Sequence, residues 1–165
     1  MGEMWDLYDQ NRELLNKKHA RGVPVPRGAY HIVIDVWTIN NDSKILITQR
    51  HPDKPFGLLW ECSGGSIIMG EDSRSGALRE ISEEVGIQAK AEELILIHSI
   101  RLNDRFVDTY ITKRDVSLEE LKLQAEEVVD AKFVSFVELN NMWEDGAIVP
   151  KERFEKYRQE IETYL

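Results

Sequence analysis

Cysteine is nearly absent from this chain. Cys62 is the only one in 165 residues, so no internal disulfide can close and no pair of thiols stands at zinc-binding spacing. Long apolar runs are missing too: no stretch approaches the roughly 18 residues of a membrane-crossing helix. The N-terminus, Met1-Gly2-Glu3-Met4-Trp5-Asp6, lacks the basic and apolar segments of a secretory signal. A soluble protein of the reducing cytoplasm is expected. Positive charge is scarce, with 21 Lys and Arg against 30 Asp and Glu and a net charge of −9. That balance argues against a nucleic-acid polymer as partner, because such binding draws on cations neutralising phosphates. A small phosphorylated substrate stays compatible, since bound metal ions can screen its charge. There is no internal repeat, no low-complexity tract, and no proline between Pro55 and Pro150. The length suits one domain over residues 1–165 with a sizeable core.

What the chain does have is concentrated between Gly65 and Ile87. It reads Gly65-Ser66-Ile67-Ile68-Met69-Gly70-Glu71, seven residues, then Arg79-Glu80-Ile81-Ser82-Glu83-Glu84-Val85-Gly86-Ile87. Ala77, Leu78, Ile81 and Val85 recur at three- and four-residue steps, which predicts a helix from about Ser73 to Val85 with one apolar stripe. Asp72 or Ser73 is placed to cap its first turn, and Gly86 to end it in the left-handed conformation. Glu80, Glu83 and Glu84 then share the face opposite the stripe. Like charges so spaced cost a few tenths of a kcal/mol per pair in an isolated helix, a cost that a hard divalent cation would reverse. Arg79 is in reach of Glu83 one turn on, or of Glu71 if the loop folds back. Gly64-Gly65 makes a stretch without side chains, along which a backbone carbonyl can approach an ion.

The pattern G-x5-E-x7-R-E-U-x-E-E-x-G-U, with U aliphatic, is complete here, and by average residue usage it would arise by chance at odds of about 10⁻⁷. It resembles the box of the Nudix hydrolases, metal-dependent enzymes that cleave nucleoside diphosphates linked to another group X. The resemblance extends from about Tyr30 to Leu139 and implies an α/β/α sandwich with a mixed sheet flanked by helices. It also implies Mg²⁺ or Mn²⁺ as cofactor, Glu80, Glu83 and Glu84 in metal and base functions, a supporting role for Glu71 and Arg79, and the Gly65 carbonyl as a ligand. Many members place one more acidic ligand or base in a loop facing the box helix. Glu127 is the candidate, with Glu126 as substitute, and the general base is left between Glu83 and Glu127.

Strand and helix signals elsewhere fit that architecture. Trp5-Tyr8 reads as a short strand before a turn at Asp9-Gln10-Asn11, giving an N-terminal hairpin and connection over residues 1–29 that forms a pocket edge or a homodimer contact. Tyr30-Ile39 and Lys44-Gln49, joined through Asn40-Asn41-Asp42, read as a hairpin. Glu93-Arg101, Phe106-Thr112 and Ala131-Ser135 read as strands, Leu118-Gln124 as strand or helix, and Phe136-Glu144 and Lys151-Leu165 as helices, the last opened by Pro150. Trp60 reads as core. Asp108 alternates with Phe106 and Tyr110 and is a candidate pocket wall, and Arg50 and Lys54 are candidate phosphate holders.

A second resemblance is narrower. Isopentenyl-diphosphate isomerases share the fold and are similar in Trp5-Asp6-Leu7-Tyr8-Asp9 and Gly57-Leu58-Leu59-Trp60. Their catalytic Cys-Gly-His stretch corresponds to Gly64-Gly65-Ser66 here, and Cys62 lies two positions early. His19, His31, His51 and His98 are scattered. Hydrolysis is therefore the expected chemistry.

Overall fold

A computed structural model describes residues 2–149 and 151–165. The hairpin of β1 (Met4–Tyr8) and β2 (Leu14–Ala20) forms where expected, its turn held by Asp9, whose carboxylate accepts the N–H groups of Asn11 and Glu13 at 2.8 and 2.9 Å. The hairpin docks against the box loop and the central sheet. Met69 N–H donates to Met4 C=O, Gly70 N–H to the Asp6 carboxylate, and Tyr8 and Tyr30 exchange backbone hydrogen bonds.

β3 (His31–Ile39) is buried along its whole length, which its near-continuous apolar sequence requires of a strand covered on both faces. Ile32, Ile34 and Val36 join one hydrophobic cluster, while Trp37 and Ile39 join the other, as the two-residue period of a strand dictates. The remaining strands are β4 (Ile45–Arg50), β5 (Trp60–Glu61), β6 (Ser63–Ser66), β7 (Leu94–Arg101), β8 (Arg105–Lys113) and β9 (Val128–Val134). Among the described residues the sheet runs β5-β4-β3-β8-β7, with β6 also on β3 and β9 also on β4. β3 and β8 are parallel and the other pairs antiparallel. Helix α1 (Ser73–Val85) covers one face, and α2 (Phe136–Glu144) and α3 (Lys151–Glu162) pack with the cluster on the other. This is the expected mixed sheet between helical layers.

The β3–β4 hairpin differs from expectation in one respect that makes the site. The two strands pair only at Thr38↔Leu46 and Ile39↔Ile45, then splay. β6 takes over the freed edge of β3, with Gly64 opposite Asp35 and Gly65 opposite Ile34, while β9 and β5 take the edges of β4. A Cβ on Gly64 would lie 2.3 Å from Ile34 C=O, so only glycine permits this approach. The split between the two halves is the mouth of a cleft.

Smaller boundaries also move. β9 starts at Val128, three residues before the expected Ala131, because Val128 is buried and extends the ladder with β4. Leu118–Glu120 is a single 3₁₀ turn capped by Ser117. Helix α3 ends at Glu162 rather than Leu165, and Pro150 lies outside the described residues.

Candidate active site

Helix α1 is built as its sequence requires. Asp72, rather than Ser73, is the cap, accepting Ser75 N–H at 2.7 Å, and Gly86 closes the helix at φ 75°. Ala77, Ile81 and Val85 are fully buried, each large aliphatic side chain contributing about 1.5–3 kcal/mol by burial; Leu78 is only partly buried. The carboxylates do not share a solvated face. Glu83 side chain is 52% exposed, but that of Glu80 is 14%, and Glu84 is 4% exposed. The reason is that β6 packs along this side of α1, so Glu80 and Glu84 are shut between helix and glycine strand while Glu83 stands at the mouth.

The loop does fold back onto Arg79, which answers to both of its expected partners. Its Nε donates to Glu71 Oε1 at 2.8 Å and another nitrogen to Glu71 Oε2 at 3.1 Å. The guanidinium also reaches Glu80 at 2.9 Å, Glu83 at 3.0 Å and the Ser66 carbonyl at 3.2 Å. It ties the two ends of the box together and sets two of the three acidic side chains. Among the described residues Glu84 has a single hydrogen bond, from Gly64 N–H at 3.1 Å. Burial, and then the neighbouring Glu61 and Glu80, push its carboxyl well above the usual range. Burial also raises Glu80 and Glu61, against the pull of Arg79 and Arg50.

Glu127, just before β9, reaches the same cavity as Glu80, Glu83, Glu84 and Gly65, while Glu126 does not line it. Lys54 pairs with Glu127 and lines both this cavity and an adjoining one of about 240 Å³, on whose wall Arg50 pairs with Glu61. Asp108 is not brought to the cleft. It is 1% exposed and its oxygens are occupied by Arg12, Ser73 and Ser99, so the expected pocket wall is a buried tie between hairpin, α1 and sheet. Trp60 is half-buried beneath Lys132, 4.2 Å from its ring centroid. Glu3 and Arg21, from the N-terminal hairpin, also line the carboxylate cavity. Spacing could not have found them, because the hairpin reaches the box only through tertiary docking.

Among the described residues, no three His, Cys, Asp or Glu side chains converge into a ready-made cation cage. The donor set nonetheless fits a hard divalent ion. A Cβ on Gly65 would lie 2.5 Å from Glu80 Oε1, so glycine keeps the space beside that carboxylate open. The neighbouring Glu84 is short of partners, a buried acid that a cation would compensate.

Residues 29–154 match the NUDIX domain family, and the chain belongs to the Nudix family. An uncharacterized Nudix hydrolase of Listeria monocytogenes is 38% identical over 150 residues, covering 90% of this chain and 89% of that one. A CTP pyrophosphohydrolase of Escherichia coli is 35% identical over 69 residues, 42% of this chain and 51% of that protein. The crystal structure of a Deinococcus radiodurans protein shares the fold at a TM-score of 0.73 and 19% identity, over 88% of this chain and 91% of that one. The protein is thus a Nudix hydrolase, an enzyme of pyrophosphate hydrolysis in the general sense. No helix of the described residues is long and apolar enough to cross a membrane.

Proposed function

We propose that the protein hydrolyses a P–O–P linkage in a small phosphorylated metabolite, using Mg²⁺ or Mn²⁺ held by Glu80, Glu83, Glu84, Glu127 and the Gly65 carbonyl. The observation that carries this reading is Glu84: a carboxyl at 4% exposure, raised by burial and by two like-charged neighbours, with one hydrogen bond. Such a group costs folding free energy and is retained where a ligand compensates it.

A bound divalent ion would supply charge neutralisation and a lowered water pKa. The chain's own residues do the rest. Arg79 fixes Glu80 and Glu83 through its hydrogen bonds. Glu83 or Glu127, both on the cavity wall, accepts the proton of the attacking water. Water adds to one phosphorus and the bridging oxygen leaves with the other, so a diphosphate that joins two groups gives two phosphate monoesters and a terminal diphosphate gives one monoester and inorganic phosphate. Lys54, which lines both cavities, would offset the charge gained by a leaving phosphate. Isomerase chemistry gains no support from the site: Cys62 is the one thiol, it is 4% exposed, and burial pushes it well above its ordinary pKa.

Glu83→Gln and Glu84→Gln are each expected to reduce kcat by about 10²–10³-fold, the usual loss when one electrostatic contact to a transition state is removed. Phosphate release, direct or after phosphatase treatment of the monoester products, from a panel of nucleotides, nucleotide sugars and isoprenoid diphosphates with Mg²⁺ and Mn²⁺ measures it. Near-normal rates in both variants at saturating metal would refute the assignment. Glu127→Gln separates the two candidate bases, since only the true base abolishes the acidic limb of the pH–rate profile.

A further inference from the structure

The carboxylate cavity and its neighbour share Arg21, Lys54, Gly64 and Gly65, so they form one groove crossing the glycine strand. The far part is chemically unlike the near part. Its charged lining is Arg21, Arg50, Lys54, Arg105 and Arg153 against Asp35 and Glu61, a positive recess in a chain of net charge −9. Among the described residues no aromatic ring and no side-chain amide lines it. Recognition of a nucleobase draws on such groups, rings to stack and amides to read its edge.

The cations differ in how firmly they are held. Arg50 is committed to Glu61 and the Pro55 carbonyl. Among the described residues Arg105 pairs only with its neighbour Asp104, both side chains about 40% exposed, and Arg21 only with Glu3, both about half exposed. Exposed pairs of this kind contribute little and exchange readily for a ligand's anion. Arg153 arrives from α3 and donates to Asp35 at 2.9 Å, and among the described residues its buried Nε–H has no partner. The Arg153 side chain forms part of the wall of the recess.

We propose that the group X of the substrate carries a further phosphate, bound by Arg105 and Arg153 with Arg21 between it and the scissile diphosphate, and that it carries no nucleobase. The substrate class is a phosphorylated sugar or polyol diphosphate. This rests on the hydrolase reading for the diphosphate and stands apart from it for the distal phosphate.

The test compares kcat/KM with Mg²⁺ for 5-phosphoribosyl 1-diphosphate, isopentenyl diphosphate and CTP. The first is expected to exceed the other two by at least about tenfold, the free energy of one charge-assisted hydrogen bond. Arg105→Gln, at an exposed position, should lower the ratio of the first to the second by a similar factor. Preference for CTP, or a ratio unchanged in the variant, overturns the proposal. Calorimetry with ribose 5-phosphate probes the recess without turnover, and binding weakened about tenfold by Arg105→Gln supports it. If that dependence is seen while no diphosphate is cleaved, the hydrolase reading fails and the phosphate recess stands; no binding overturns the recess.

Discussion

Asp108 and Glu84 are both buried carboxylates, 1% and 4% exposed, one bonded to the first residue of helix α1 and the other carried on that helix, yet they are opposites electrically. Asp108 accepts from Arg12 at 2.8 Å and Ser99 at 2.7 Å through one oxygen, and from Arg12 and Ser73 through the other. Burial alone would raise it, but the hydrogen bonds from Arg12, Ser73 and Ser99 outweigh that and hold it below the usual range. Glu84 has one backbone N–H and two acidic neighbours, and it is driven upward. A buried acid whose lone pairs are occupied by its own chain is a fastening. One left short of donors among like charges stores unfavourable free energy that only something from outside can release.

Removing each acid should therefore have opposite effects on stability. Asp108→Asn is expected to cost about 3 kcal/mol, the usual loss on breaking a buried pair, because Arg12 and two hydroxyls lose their anion at once. Turnover per folded molecule should change little. Glu84→Gln, which removes a charge that the metal-free protein holds at a loss, should stabilise that state by about 1 kcal/mol while lowering kcat by about 10²–10³-fold. Urea unfolding of both variants in chelator checks the pair. A Glu84→Gln protein as unstable as Asp108→Asn would erase the contrast.

Acidity sharpens the comparison with a smaller effect. Glu84, Glu80 and Glu61 have folded pKa values raised above the unfolded ones, so in this range the folded state binds more protons and stability falls as pH rises. Asp108 is depressed, so its contribution is present above the unfolded carboxylate value and lost as pH falls through the folded one. In chelator, wild type should lose stability from mild acid toward neutrality, and saturating Mg²⁺ should remove that slope by binding the ionised cluster. Thermal midpoints between pH 5 and 8, with and without metal, decide it; an identical slope in both would mean these carboxylates do not meet the ion.

Much of this was legible in the sequence, for physical reasons that also mark where legibility ended. Helix α1 could be read because its stripe, its cap at Asp72 and its stop at Gly86 are local. The strand pattern of β3 and β8 was legible too, but not that they run parallel. How deeply the acidic face of α1 is buried is not legible, because helical spacing says that Glu80, Glu83 and Glu84 are adjacent and nothing about β6 lying on them. Asp108 was misplaced for a related reason. The alternation with Phe106 and Tyr110 was right, but Arg12, which saturates it, comes from 96 residues away. Arg50 and Lys54 are legible in the sequence, but Arg21, Arg105 and Arg153 join them in the recess from the hairpin, β8 and α3 by tertiary docking alone.

The smallest expected effect concerns a third buried group, and it shows how the hairpin is coupled to the site. His31 stacks on Trp5 at 4.1 Å with the rings within 6° of parallel, and among the described residues its buried Nδ1 has no partner. Burial, then the nearby Arg105, lowers its pKa to about 4 from 6.5. A histidine so depressed contributes stability above its unfolded value, and the contribution is lost progressively as pH falls from about 6.5 through 4, because the unfolded chain takes the proton more readily. The loss should be local, since β1 lies directly on His31. Amide exchange of β1, corrected for intrinsic rates, should quicken between pH 6 and 4 while β3 stays protected, and Arg21, carried on the same hairpin, should loosen with it. His31→Phe keeps a ring against Trp5 and removes the titration, so it should abolish the pH dependence. If the variant's hairpin opens in acid just as the wild type's does, some other group is responsible.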